Sequence, residues 1–277
     1  MVTGILSHWG IKDEIFIIKR VKSYVIPYFS WSFLLFIIFW FESPFKFLAR
    51  VFYGGAMNTT TYTFPFWFIC CLFVSAIIFN YCYQRKYLLF VLALGGGILV
   101  HYLLLKSWKV PSLPWSLEVF PFACMYFMIG IYAYKIYKSR NFSTKVFVCT
   151  TSILISASLI ILHVQGLLNY SLTMKNVNFT CFPLDVFVPL CFFFALKTVS
   201  SILCLWVFSK KVLSYVGNAS IVIMFSHATI FHIIEHSPIN GLGTKLVFSL
   251  TVGCLIYCAC TKNKYLSLLF TGKTTHK

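Results

Sequence analysis

An all-α fold, a polytopic transmembrane helix bundle of about eight spans with N-terminus and C-terminus both cytoplasmic, follows from three observations. Apolar residues make up 60% of the chain and charged residues 10%, with mean hydropathy +0.85, whereas a soluble domain carries about 25% charged residues. The apolar residues gather into runs long enough, or nearly so, to cross a hydrocarbon core. The basic residues between those runs alternate in number from one connection to the next. Residues 1–277 read as a single membrane-embedded domain, with no internal repeat and no separate soluble part.

In chain order the expected spans are 23–41, 65–81, 87–105, 117–136, 146–165, 184–208, 219–235 and 245–261. The second and seventh are short, near the lower limit of about 17 residues. The third contains Gly95, Gly96 and Gly97, which suit close helix packing better than a phosphate loop, since no strand precedes them. Of the 23 Lys and Arg residues, 16 fall on the side that holds both termini and 6 on the other, with Lys197 inside a span. That bias places the richer side in the cytoplasm. No cleavable signal peptide is expected, because Lys12, Asp13, Glu14, Lys19 and Arg20 interrupt the opening stretch.

The net charge of +17 does not point to nucleic acid, because the basic residues are spread over short loops and form no stripe on a soluble face. Most of the cysteines lie in apolar runs, Cys70, Cys71, Cys191, Cys204 and Cys254 among them. There they act as small apolar side chains. No CxxC pair or His/Cys spacing suggests a metal.

Chemistry gathers in Gly217–His236, GNASIVIMFSHATIFHIIEH. Read as a helix starting at the cytoplasmic face, it puts His227 about 15 Å deep at 1.5 Å per residue, where an ionisable group marks a functional site by default. Ser220 lies two turns earlier on the same side, and His232, Glu235 and His236 follow towards the outer mouth. His101, Glu118, His163 and Asp185 reach the same outer level. On the inner side, Lys19, Arg20 and Lys22 precede Pro27 and Tyr28, a basic cluster fit for anionic headgroups or for the phosphates of a soluble donor.

Several segments, in order, resemble the integral-membrane acyltransferase 3 family, which includes bacterial O-acetyltransferases of surface glycans. Ile17–Tyr28, IIKRVKSYVIPY, is similar to its basic segment running into an IPY helix start. Phe66–Phe73, FWFICCLF, resembles its WFL..LF helix. Leu113–Glu118, LPWSLE, followed by Phe127–Gly130, FMIG, resembles its LPWSLD…FFxxG pattern, with Glu118 in place of Asp. Gly217, Asn218, Ala219 and Ser220 with Ser226 and His227 resemble its late helix.

The resemblance implies a multi-pass enzyme of a bacterial inner membrane that moves an acyl group, usually acetyl, from cytoplasmic acetyl-CoA to a hydroxyl of a cell-surface or lipid-linked glycan. It also implies ten helices and a histidine some eleven residues after an Arg or Lys in the first of them, regarded as the base. No Lys or Arg here has a His at that distance, so the expectation is a chain that lacks the family's first two helices.

Acyl transfer to a hydroxyl needs a base, oxyanion donors and a thioester held against the acceptor. A neutral histidine suits the first. His227, with Ser220, is the candidate base or proton relay, and Glu118 a candidate to orient an imidazole. Trp67, Trp115 and Glu235 are candidates to hold the sugar, Trp115 serving equally as an interfacial anchor. Arg20 and Lys22, joined by Arg85, are candidates for the CoA phosphates. Membrane lipids are the expected surroundings. Two other readings stay open: a transporter or flippase of a lipid-linked sugar, and an inactive remnant.

Overall fold

The computed structural model describes residues 13–40, 42–55, 60–83, 85, 112–168, 170, 172–173, 178–179, 182–235 and 241–273. Among the described residues, seven helices are long and apolar enough to cross a membrane. Each coincides with one of the expected runs. The remaining run, 87–105, lies outside the described residues.

The chain opens with α1 (Asp13–Arg20), passes through a π-turn at Val21–Val25 and continues as α2 (Ile26–Phe39). The wide turn has a local cause. Pro27 offers no N–H, and its ring crowds the carbonyl four residues back. The preceding Ile26 N–H therefore reaches past the usual partner to Val21 O. α2 stops at Trp40, which adopts a left-handed φ of 42°. A second short helix, α3 (Pro44–Tyr53), follows with Pro44 at its first position, where the missing N–H costs nothing. It lies in a stretch read from sequence as a plain connection. Only Phe47 and Val51, one turn apart, are buried along it.

α4 (Phe66–Tyr83) is apolar all round. A 3₁₀ turn at Pro114–Val119 leads into α5 (Phe120–Ser139), whose stretch Phe122–Met128 is continuously buried. α6 (Phe142–Val164) and α7 (Phe182–Leu203) pack on each other. Between them, Leu172 pairs with Phe179 and Thr173 with Asn178 in a two-residue antiparallel ladder.

The expected turn at 209–218 and the helix start at Ala219 are corrected by the structure. After a turn at Cys204–Trp206, α8 runs unbroken over Val207–Glu235. Lys210 and Lys211 are good helix formers. Gly217 has open space around it, and a single helical glycine costs only about 1 kcal/mol. Asn218, the other breaker, is helical with its Oδ1 accepting from Lys273 Nζ at 2.9 Å. The run expected over 184–208 accordingly ends at Leu203. α9 (Leu242–Thr261) and a last short helix, α10 (Lys264–Thr271), complete the order.

The chain divides into two compact units. One takes in Glu118–Lys210, hence α5, α6 and α7. The other takes in Lys12–Ile77, Ser112–Leu117 and Lys211–Lys277. The core of the second is aromatic: Tyr28, Trp31, Phe36, Phe47, Phe66 and Phe225 are all buried. Trp31 stacks on Phe225 at 6.0 Å, and Phe36 on Phe47 at 4.1 Å. α9 comes close to α8 at Gly253, where a Cβ would stand 2.5 Å from Ile223 Cγ1. Small residues permit such backbone approach in membranes.

Candidate active site

His227 is placed by the face α8 turns inward. Val222, Phe225, Ser226 and Thr229 are buried, spaced three and four apart as one helical face requires. His227 stands beside that face and is half-buried. Its Nδ1 lies 2.8 Å from Met224 O and 3.3 Å from Ile223 O. A carbonyl can only accept, so Nδ1 carries the hydrogen in the neutral ring and Nε2 keeps its lone pair. The edge-on ring of Phe231, 5.7 Å away, steadies the imidazole. Backbone carbonyls thus set the tautomer. Ser220, two turns earlier, is exposed and makes no hydrogen bond to His227. Further along α8, His232 Nδ1 is 4.0 Å from Glu235 Oε2 and packs edge-on to Tyr62 at 5.2 Å. Glu235 itself is exposed. His236 and His101 lie outside the described residues.

A second constellation forms around the Pro114–Val119 turn. Trp115 and Ser116 both have φ of 57°, a left-handed conformation costing roughly 1–2 kcal/mol for each residue with a side chain. Three hydrogen bonds offset that cost. Trp115 Nε1 donates to Phe52 O at 3.0 Å, Ser116 N to Leu113 O at 3.2 Å, and Tyr53 OH to Ser112 O at 2.7 Å. The indole packs against Tyr28 and Phe73, each at 5.6 Å between ring centres. Tyr28 is fixed in turn by donating to Val51 O at 2.9 Å.

Trp115 is therefore a keystone of the protein's own packing, with its N–H already engaged. The turn fits only because Gly54 and Gly55 lie beneath it, both with positive φ. A Cβ on Gly55 would come within 2.6 Å of Ser116 N. Ser116 Oγ is buried and has no hydrogen-bond partner among the described residues. Sequence reasoning missed these glycines and Ser116, although the Gly-Gly pair at 54–55 was a visible signal.

The basic segment carries Arg20 and Lys22. The Arg20 guanidinium lies over the rings of Phe16 and Tyr24, at 4.7 and 5.6 Å, and donates to Tyr24 OH at 3.2 Å. Lys22 projects exposed from the π-turn. The chain's last described residues reach this same place. Gly272, with φ of 67°, caps α10, and a Cβ there would lie 2.7 Å from Lys22 O and from Ser23 Cα. Trp31 Nε1 donates to Phe270 O at 3.1 Å.

Lys273, next after Gly272, places its ammonium on Asn218 Oδ1 at 2.9 Å. Desolvation holds its ammonium below the usual lysine pKa. The folded chain thus binds that proton less tightly than the unfolded chain, so docking of the tail strengthens as pH rises towards the ordinary lysine value and weakens below it. An acetylating reagent for amines, used at pH 8 and read by peptide mass spectrometry, should modify Lys273 faster than exposed Lys262 or Lys264. Slower modification would contradict the shift.

Other expected site residues stand apart. Trp67 is half-buried, edge-on to Phe68 at 5.9 Å. Glu118 is buried, at the start of the segment Glu118–Lys210 of its unit. Asp185, also buried, has its backbone carbonyl bonded by Tyr126 OH at 2.6 Å. The structure brings His227, Trp115, Arg20 and Lys22 into one compact unit and assigns Glu118 to the other.

Helices of this length and composition, carrying ionisable groups within them, define a multi-pass membrane protein. The acyltransferase domain of the acyltransferase 3 family matches residues 11–261, nearly the whole chain, and the chain belongs to that family. Searches of curated proteins and of solved structures returned no match.

Proposed function

We propose that this chain is an acetyl-CoA-dependent O-acyltransferase of a bacterial inner membrane, acting on a hydroxyl of a cell-surface or lipid-linked glycan. What supports it most is His227, whose Nδ1 is engaged by backbone carbonyls and whose Nε2 has no hydrogen-bond partner among the described residues, in a chain of an acyltransferase family.

In this reading Lys210 and Lys211 mark the cytoplasmic surface. His227 then lies about 24 Å further along α8, at 1.5 Å per residue, past the middle of a core about 30 Å thick. That is the side from which a glycan hydroxyl arrives. Nε2 takes the hydroxyl proton as the oxygen attacks the thioester carbonyl. The tetrahedral intermediate collapses, the C–S bond breaks, and the CoA thiolate leaves with the proton now held by the imidazole. Ser220, on the same side of α8, lies two turns towards the cytoplasm and out of hydrogen-bond contact with the imidazole. Arg20 and Lys22 hold the CoA phosphates at the inner surface. Trp67 and Glu235, in the same compact unit as His227, take the sugar. Trp115 supports the acceptor region through the packing of its turn.

The test is transfer of label from radioactive acetyl-CoA, catalysed by purified protein in proteoliposomes, to a cell-envelope extract. Base-labile label in the glycan fraction is the expected result. Movement of a lipid-linked sugar across the vesicle without acetyl-CoA, and no label transferred, would replace this reading with a flippase.

A further inference from the structure

Away from these residues, the unit containing α5, α6 and α7 has a cleft of about 240 Å³. Ile136, Tyr137 and Arg140 of α5, Lys145 and Val148 of α6, and Phe194 of α7 are among its lining residues. Its walls are aliphatic and aromatic. Arg140 and Lys145 stand at the mouth, where α5 ends and α6 begins.

A third cation does not line the cleft but contacts its wall residue Tyr137. Lys197 is carried by a membrane-spanning helix, lies 4.3 Å over the ring of Tyr137 and donates to its hydroxyl at 3.3 Å. Tyr137 OH is shared with Cys149 Sγ at 3.4 Å. Among the described residues Tyr137 alone meets the Lys197 ammonium, through ring and hydroxyl, and no carboxylate pairs with it. The described acids of this unit are Glu118 and Asp185. Glu118 precedes the far end of α5. Asp185 lies twelve residues before Lys197, about 18 Å along α7.

Three cations around an apolar cleft, with no nearby acid, call for a ligand that is anionic at one end and hydrocarbon at the other. A cation inside a span is costly unless something neutralises it. We infer that this cleft is a binding site for an anionic glycerophospholipid. Arg140 and Lys145 hold its phosphate, one acyl chain lies along Ile136, Val148 and Phe194, and Lys197 meets the ester and phosphate oxygens from below. Arg140 and Lys145 belong to the connection with Lys135 and Lys138, on the side richer in basic residues. The lipid is therefore drawn from the leaflet that this side faces. Basic pockets between spans at that level are suited to anionic headgroups.

Protein purified in detergent and titrated with dioleoylphosphatidylglycerol, dioleoylphosphatidylcholine or inorganic phosphate distinguishes the sources, with bound lipid counted by native mass spectrometry. Phosphatidylglycerol should be retained preferentially, phosphatidylcholine weakly, and inorganic phosphate should not displace the lipid. Arg140→Gln and Lys145→Gln alter exposed or half-exposed side chains and leave packing intact. Each should weaken phosphatidylglycerol retention about fivefold and leave phosphatidylcholine retention unchanged. Lys197→Met, matched in length, should do the same. Equal retention of the two lipids, undiminished phosphatidylglycerol binding in the Arg140→Gln/Lys145→Gln protein, or displacement of the lipid by coenzyme A would overturn the inference.

Discussion

Acetyl transfer should fall by about 10²–10⁴-fold, the contribution of a positioned general base, when His227 is replaced by asparagine. The choice of substitution matters. The Asn side-chain amide can still donate towards Met224 O, as Nδ1 does now at 2.8 Å, so α8 keeps its local bond. What disappears is the second ring nitrogen and its lone pair. The loss should appear in kcat, with KM for acetyl-CoA little changed, because the donor's phosphates are held elsewhere. His232→Asn is the matched comparison. It alters an imidazole one turn and more away that faces Tyr62 and Glu235, and it should spare most of the activity. Transfer at the wild-type rate in the His227→Asn protein, measured with labelled acetyl-CoA, would remove His227 from the reaction.

Gly55→Ala should destabilise the protein strongly, by about 3 kcal/mol. Two causes act at once. A φ of 59° is strained for any residue with a Cβ, by roughly 1–2 kcal/mol. The new methyl would also sit 2.6 Å from Ser116 N and 2.7 Å from Ser116 Oγ, an overpacking that costs about 1–3 kcal/mol. Part of the collision is with backbone, so no rotamer change relieves it.

Two other glycines separate the causes. Gly166 has φ of 72° with nothing near it, so Gly166→Ala carries strain alone. Gly217 lies inside α8 with nothing near it, and Gly217→Ala should stabilise by about 1 kcal/mol. Thermal unfolding in detergent should rank the proteins Gly217→Ala, wild type, Gly166→Ala, Gly55→Ala from most to least stable. Equal unfolding of the Gly55 and Gly166 variants would show that the Trp115–Ser116 turn is not packed against Gly55.

The spans were legible because hydrocarbon thickness and uninterrupted apolar composition are properties of single segments. Glu118, Trp115 and His227 were legible as residues worth attention, since polar and aromatic groups stand out against such a background. Their surroundings were not. Trp115 looked like a sugar platform or an interfacial anchor, yet its partners come from Tyr28, Phe52, Gly54 and Phe73, distant in sequence. Gly217 and Asn218 looked like a helix start, and only the tail contact from Lys273 to Asn218 reveals why the helix passes through them. α3 was overlooked because its buried face is just Phe47 and Val51, too narrow a stripe to distinguish from a connection.

The bond from Trp31 to Phe270 joins residues 239 positions apart, and Gly272 closes over the π-turn at Lys22 and Ser23. Ribosomes add about 5–20 residues per second, so α2 waits roughly 10–50 seconds after its own synthesis for the partner that completes it. During that interval the Trp31 indole and the backbone of Lys22 and Ser23 await their partners Phe270 and Gly272. Insertion of the first helix and completion of its packing are thus separate events in the life of the chain, and the α10 segment, made last, acts as the clasp.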